Sequence, residues 1–327
     1  VSAATPSQVR LFRSFGVKNV FLANELVDPA GIRWIAAYQA DHPNEEFLCY
    51  VDSVAGVELL NAELAPTGAV LDVLVEVSAP GGRTGARTLD TAIAAAGAAG
   101  ASPHLRLRGV SGYEGALAAD RSAEATGRVR NYCLQVAEIA GELHRRGFFT
   151  DGEVILSVGG GAFFDIVVDV LGDVRLSGSA TRLIIRSGSY ISHDDGLYSR
   201  IAAFAQPHSE YTLQPALELW GRVLSRPEPG QAFIDFGRRD APFDQGLPVP
   251  RSVRDTQGQN DRPATGYTIT ALNDQHAYLS LPEADTLSPG DWVGCGISHP
   301  CTAFDKWRLI PVVDDAYVTV GSVTTYF

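Results

Sequence analysis

Near the end of the chain, in Gly296-Ile297-Ser298-His299-Pro300-Cys301-Thr302, an imidazole and a thiol stand two positions apart. On an extended backbone such residues point to the same face. Both are good ligands for a borderline-soft ion such as zinc. Two protein ligands cannot close a structural site, which takes four. The His-x-Cys pair therefore suggests an open divalent metal, zinc, whose other positions go to water or substrate. Taken alone, the pair reads more readily as a buried cysteine and a loop histidine, and it is the surrounding sequence that reverses this.

Glycine-rich and hydroxyl-bearing loops supply the other candidates. Short apolar runs at Val70–Val75, Leu105–Arg108, Val154–Val158 and Leu183–Arg186 are followed by Pro80-Gly81-Gly82-Arg83, Gly112-Tyr113-Glu114, Gly159-Gly160-Gly161 and Ser187-Gly188-Ser189-Tyr190. Residues just past the strands of an α/β barrel line its active mouth, and loops after the last two strands commonly hold a phosphate. Backbone N–H groups of Gly160, Gly161 and Gly188, with the hydroxyls of Ser189 and Tyr190, suit an anion. Arg83, after two glycines, can meet a phenolate or carboxylate. His193 and His276 are ambiguous loop histidines, and the pairs Asp194-Asp195 and Asp314-Asp315 read as solvated turns.

The elements that would position these residues alternate in type. Runs at Asn19–Ala23 and Phe47–Val51 join those above, with helical stretches at Thr5–Phe15, Pro29–Asp41, Val54–Leu64, Thr88–Ala99 and Ala123–Arg146 between them. Such alternation means a parallel sheet with helices outside. With Val1–Ala4 as a strand stub the count is seven, one short of a (β/α)8 barrel. A doubly wound sheet would carry an early glycine-rich phosphate turn, which is missing. The expectation is a TIM-like α/β barrel over residues 1–226, lacking its first strand. An antiparallel β domain over residues 227–327, punctuated by prolines and carrying the His-x-Cys loop, follows it.

Composition narrows the classes. The 327 residues are 45% hydrophobic and 20% charged, enough to bury a large core. A net charge of −12 with no basic stripe argues against nucleic acid. Nothing approaches a bilayer-spanning run or a signal peptide. Cys49, Cys133, Cys295 and Cys301 are scattered, so no disulfide framework is expected and the cytoplasm is the default compartment.

Together, Gly81–Arg87, Leu183–Tyr198, Asp235–Pro248 and Gly296–Trp307 resemble the metal-activated, pyridoxal-phosphate-dependent D-serine dehydratase and D-threonine aldolase group. That group has an alanine racemase-type barrel plus β domain. The resemblance is strongest to bacterial D-amino-acid deaminases. It implies that Arg83 contacts the 3-oxygen of pyridoxal 5′-phosphate, that Tyr113 lies beside its ring, and that Gly188 and Tyr190 hold its phosphate. It implies that His299 and Cys301 bind the divalent ion, and Cys301, where aldolases carry a carboxylate, favours the dehydratase side. The implied reaction eliminates water from a small 3-hydroxy D-amino acid such as D-serine, and hydrolysis of the resulting product then gives a 2-keto acid and ammonia, in a homodimer. D-Threonine retro-aldol cleavage is the nearest alternative, then racemisation, then a non-catalytic cofactor-binding protein.

One departure stands out. The group's Schiff-base lysine lies at the end of the first barrel strand in a Pro-His-x-Lys-Thr pattern, and this chain has only Lys18 and Lys306 and no methionine. The expectation is an N-terminally truncated form whose missing strand carries that lysine.

Overall fold

The computed structural model describes residues 1–149, 152–205 and 211–326. The chain divides into two compact units, Val1–Ser187 and Gly188–Phe327.

The first unit alternates strand and helix throughout: β1 (Ser2–Ala3), α1 (Pro6–Ser14), β2 (Asn19–Glu25), α2 (Pro29–Asp41), β3 (Glu46–Val51), α3 (Val54–Leu64), β4 (Leu71–Val77), α4 (Leu89–Ala101), β5 (Leu105–Gly112), α5 (Ala123–Arg145), β6 (Glu153–Val158), α6 (Phe164–Leu171) and β7 (Ala180–Leu183). All seven strands pair in parallel and in chain order, with β1 and β7 as the two edges. This is the α/β, TIM-like sheet with seven strands that the alternation predicts. Every residue of β4 is buried, as in a sheet covered on both faces.

Local chemistry sets the helix starts. Thr5, Asp28, Ser53, Thr88 and Ser122 each cap a helix by accepting a backbone N–H on the side chain. Inside α4, Ala92, Ala95, Ala96 and Ala99 form a buried stripe of small residues. In β5 the register slips between Val73 and Leu74 of its neighbour, and Gly109 sits there with φ +157°. A Cβ at Gly109 would stand 1.9 Å from the Ile155 carbonyl oxygen, so no other residue fits.

One strand differs from expectation. The run Leu183–Arg186 is apolar, yet β7 occupies Ala180–Leu183, where Glu153–Leu156 supply the ladder. Ile184–Arg186 instead leave the strand, and Arg186 uses its guanidinium on β5 and β6.

The second unit opens with a 3₁₀ turn at Ser189–Ile191 and α7 (Leu197–Ile201). There follow β8 (Glu218–Glu228), β9 (Gln231–Ile234), β10 (Val249–Arg254), β11 (Arg262–Pro263), β12 (Thr268–Leu272), β13 (Ala277–Ser280), β14 (Trp292–Gly296), α8 (Pro300–Phe304), β15 (Leu309–Val313) and β16 (Thr319–Thr324). Seven of these form an antiparallel sheet in the order β11-β10-β14-β8-β9-β13-β12, and β15 and β16 pair as a separate hairpin. The core is built on Val223, Ile234, Phe236, Ile269, Leu279 and Val293. Residue 226, where the sequence changes character, lies inside β8, because the prolines begin at the β8–β9 hairpin. Among the described residues no helix is long and apolar enough to cross a membrane.

Candidate active site

Parallel register brings the C-terminal ends of the first unit's strands to one side. Ser111 of β5 is fully buried, with its hydroxyl 2.6 Å from the Ser157 carbonyl and 2.9 Å from the Tyr50 hydroxyl. Arg186 donates from Nε to Ser157 Oγ (3.0 Å) and from Nη2 to the Gly112 carbonyl (2.6 Å). Its charge thus ties β5 and β6 together at their ends.

The loop after β4 carries Arg83. Arg87 holds this loop by donating to the carbonyls of Gly82 and Thr84 at 3.0 Å and Gly85 at 3.1 Å. Asp52, just past β3, accepts the Gly85 N–H at 3.0 Å. Arg83 then lies with its guanidinium carbon 4.0 Å from the centre of the Tyr113 ring, a cation–π contact. Tyr113 is fixed from behind: its N–H donates to the Tyr132 hydroxyl (3.0 Å), which donates to the Val77 carbonyl (2.6 Å). Arg83 and Tyr113 share a small pocket with Glu76, Ser78, Gly82 and Thr84. Gly160 borders the same group, since a Cβ there would stand 3.0 Å from Tyr113 Cε2 and 3.1 Å from Glu114 Oε1. Gly161 follows, half-buried, and the Gly160 carbonyl accepts from Ser187 Oγ at 2.7 Å.

Sequence reasoning missed the acids of this region. Glu114 is 0% exposed and Glu76 5%. Among the described residues, neither oxygen of Glu25 or Glu114, nor Oε2 of Glu76, has a donor in hydrogen-bonding geometry. Burial first, and then the neighbouring Glu76, push the Glu25 carboxyl up to about 8, so Glu25 holds its proton at neutral pH. Burial also raises Glu114, against the pull of its own and Gly160's N–H groups and of Arg186 and Arg83. Unsatisfied buried carboxyls call for an explanation, and a ligand's polar groups are one.

Gly188, Ser189 and Tyr190 begin the second unit. Nothing would obstruct a Cβ at Gly188, so its backbone is open to an approaching group. The Ser189 carbonyl accepts from the His193 N–H at 2.7 Å, closing the turn.

The expectation of solvated turns fails for one acidic pair. Asp194 is 1% exposed, and its Oδ1 accepts from the N–H groups of Tyr198 (2.8 Å), Gly196 (3.2 Å) and Ser199 (3.3 Å). Its Oδ2 accepts the His299 N–H at 2.8 Å. Asp195 pairs with Arg251 at 3.3 Å, and a Cβ at Gly296 would lie 2.0 Å from its carboxylate. Asp314 and Asp315, by contrast, do sit in the exposed β15–β16 turn. His193 is buried with φ +47°, while His276 is exposed.

His299 takes φ +83°, a conformation rare for a non-glycine residue, immediately before α8. Its ring Nδ1 meets Asp244 Oδ2, and Asp244 Oδ1 accepts from Thr302 Oγ1 at 2.8 Å. Hydrogen bonding with Cys301, followed by that with Asp244, raises the imidazole to about 9 despite burial. Burial would raise Asp244, but the hydrogen bonds from Thr302 and His299 hold it below the usual carboxylate range. Cys301 is exposed, whereas Cys295 is fully buried and its thiol is pushed up by desolvation.

These donors fit a metal in part and the cofactor in part. Among the described residues no group of three or more His, Cys, Asp and Glu is arranged to hold an ion. His299 and Cys301 nevertheless form a nitrogen–sulfur pair that suits a borderline-soft ion. For pyridoxal phosphate, the stacked Arg83–Tyr113 pair and the spaces that only glycine leaves at Gly160 fit a flat, anionic group. The covalent link does not fit. Lys18 precedes β2 at the N-terminal end of the strands, and Lys306 donates to the Arg238 carbonyl at 2.7 Å in the second unit.

Comparison with known proteins places these residues among relatives. Residues 216–313 match the putative serine dehydratase domain. The chain is 27% identical over 244 residues to a 3-hydroxy-D-aspartate aldolase of Paracoccus denitrificans, covering 74% of this chain and 59% of the relative. It is 25% identical over 319 residues to a D-threonine aldolase of Arthrobacter, covering 97% and 75%. The chain thus spans about three-fifths of the first of these relatives. Its fold is that of the D-threo-3-hydroxyaspartate dehydratase of Delftia (TM-score 0.70, 21% identity, 100% and 83% covered). An alanine racemase-like protein of Idiomarina loihiensis shares it too (TM-score 0.73, 15% identity, 99% and 82% covered). The resemblance read from the motifs therefore holds, to the dehydratase and aldolase group and to the racemase-type barrel.

Proposed function

We propose that the protein is a lyase of 3-hydroxy D-amino acids that uses pyridoxal 5′-phosphate and a divalent metal, zinc. In this reading it acts as a dehydratase, turning a substrate such as D-serine into a 2-keto acid and ammonia. The observation that carries the reading is the His299–Cys301 pair, held on a strained turn inside the region that matches the putative serine dehydratase domain. When bound, the cofactor would supply an electron sink for negative charge at the substrate's Cα, and an ion at His299 and Cys301 would supply Lewis acidity toward the 3-hydroxyl.

This chain's own residues have narrower tasks. Arg83 offers a guanidinium to the cofactor's phenolic oxygen, and Tyr132 keeps Tyr113 in place beneath that guanidinium. The phosphate is assigned to the glycine loops at Gly160, Gly161 and Gly188, with Ser189 and Tyr190 adding hydroxyls. His299 and Cys301 hold the ion. Neither Lys18 nor Lys306 supplies the Schiff-base nitrogen, so this chain accounts for the ring, phosphate and metal positions only. We take the protein to be a cytoplasmic homodimer.

A second reading, retro-aldol cleavage, is favoured by the names of both curated relatives. The sulfur ligand at Cys301 weighs the other way. Supplying the full-length protein with D-serine and D-threonine separates them. The dehydratase yields pyruvate from the first and 2-oxobutyrate from the second, each with ammonia. Glycine and acetaldehyde from D-threonine, without ammonia, would establish the aldolase instead.

A further inference from the structure

We propose that Asp244 is a positioning residue for the metal: it fixes the His299 ring through Nδ1 so that Nε2 is the nitrogen offered to the ion. The inference rests on the metal reading of His299 and Cys301 and adds a residue to it. Asp244 lies in the segment between β9 and β10, far from the His-x-Cys loop in sequence. Its Oδ2 is in direct hydrogen-bond contact with His299 Nδ1, and its Oδ1 accepts from Thr302 Oγ1 at 2.8 Å. Both carboxylate oxygens are therefore engaged, one by the ligand's ring and one by the helix that carries Cys301.

An ion bridging Asp244 and Nδ1 would stand about 2.0–2.2 Å from each and hold them further apart than a hydrogen bond does. A carboxylate bonded to one ring nitrogen instead sets the tautomer and leaves the other nitrogen as ligand. The backbone is fixed independently. Asp194 Oδ2 accepts the His299 N–H, and Ser298 Oγ donates to the Gln245 carbonyl at 2.8 Å, which ties the two loops together. Asp194 also receives three further N–H bonds, so it is saturated and acts as scaffold.

The test uses the full-length protein, stripped of metal and titrated with zinc against a chromophoric chelator, and separately with cobalt(II). The Asp244 side chain is 40% exposed, so Asp244→Asn should fold, which near-ultraviolet circular dichroism and the unfolding midpoint verify. Zinc affinity should fall about 10- to 100-fold in Asp244→Asn, with the sulfur-to-cobalt charge-transfer band retained at saturating cobalt. Thr302→Val, which leaves Asp244 in place, should lose about 2- to 5-fold and carries the test should Asp244→Asn misfold. An affinity within about twofold of wild type in both variants overturns the assignment. So do cobalt d–d bands in Asp244→Asn that report one ligand fewer, since Asp244 would then bind the ion itself. If wild type binds no zinc and Cys301→Ala changes nothing, the metal reading falls and takes this inference with it.

Discussion

Buried carboxyls are treated in opposite ways in the two units. In the first, half-buried Glu25 and buried Glu76 and Glu114 lie toward the C-terminal ends of the strands, and among the described residues each keeps at least one buried side-chain oxygen with no hydrogen-bond partner. In the second, Asp194 is as buried as Glu76 and Glu114 but accepts four backbone N–H groups, one of them from His299. A buried carboxylate with all its acceptors filled adds rigidity, because removing it orphans several donors at once. One left unfilled costs free energy in the native state and stores a capacity to bind a proton or a ligand. The contrast separates scaffold from site more sharply than burial alone does.

The largest effect expected from this contrast is on the scaffold side. Asp194→Ala should destabilise the second unit by about 3 kcal/mol or more, as several charge-assisted hydrogen bonds are lost together. Thermal unfolding should register this as a midpoint lower by about 6–12 °C. A change under about 2 °C would mean that Asp194 does not organise the loop.

On the site side, Arg83→Ala should do the reverse. The residue is exposed on a loop and anchors no core. Its loss should weaken retention of pyridoxal phosphate by about tenfold, worth ~1.4 kcal/mol, while the unfolding midpoint shifts by about 1 °C or less. Equal losses in both measurements would make Arg83 structural.

The smallest effect concerns pH. Glu25 keeps its proton in the native state up to about 8 but releases it near 4.5 when unfolded. Its contribution is therefore fully present below 4.5 and is lost as pH rises through about 8, so stability should decline across that window. Glu25→Gln cannot ionise and should flatten the decline by about 1–2 kcal/mol, after discounting for its partial exposure. A wild-type stability that changes from pH 5 to 8 by the same amount as in the variant would show that Glu25 does not hold its proton across that window.

How much of this was legible in the sequence depended on distance along the chain. The strand–helix alternation, the seven strands and the caps at Thr5 and Thr88 are local signals, and the fold follows them. Glu218–Glu228 is less legible, since Pro227 and its charges mask a long strand that pairs with both β9 and β14. Asp194-Asp195 reads like Asp314-Asp315 as sequence. What separates them is His299, 105 residues away, which no local pattern can announce. Asp244 was hidden for the same reason. Its stretch, Asp235–Pro248, carries part of the family resemblance, but its partners His299 and Thr302 appear only once β14 and α8 have folded. Glu114 stood in plain view beside Tyr113. A carboxylate in a glycine-rich loop gives no sign of being fully buried.

The central claim is that a metal held by His299 and Cys301 drives elimination from a 3-hydroxy D-amino acid. The most direct measurement is pyruvate release from D-serine by the full-length protein before and after a chelator, with zinc then restored, in wild type, Cys301→Ala and Cys295→Ala. Chelation should abolish pyruvate formation, and zinc should restore it in wild type and in Cys295→Ala but not in Cys301→Ala. The cofactor's visible absorbance should stay intact in all three. A rate that survives chelation, or that zinc restores fully in Cys301→Ala, would contradict the account.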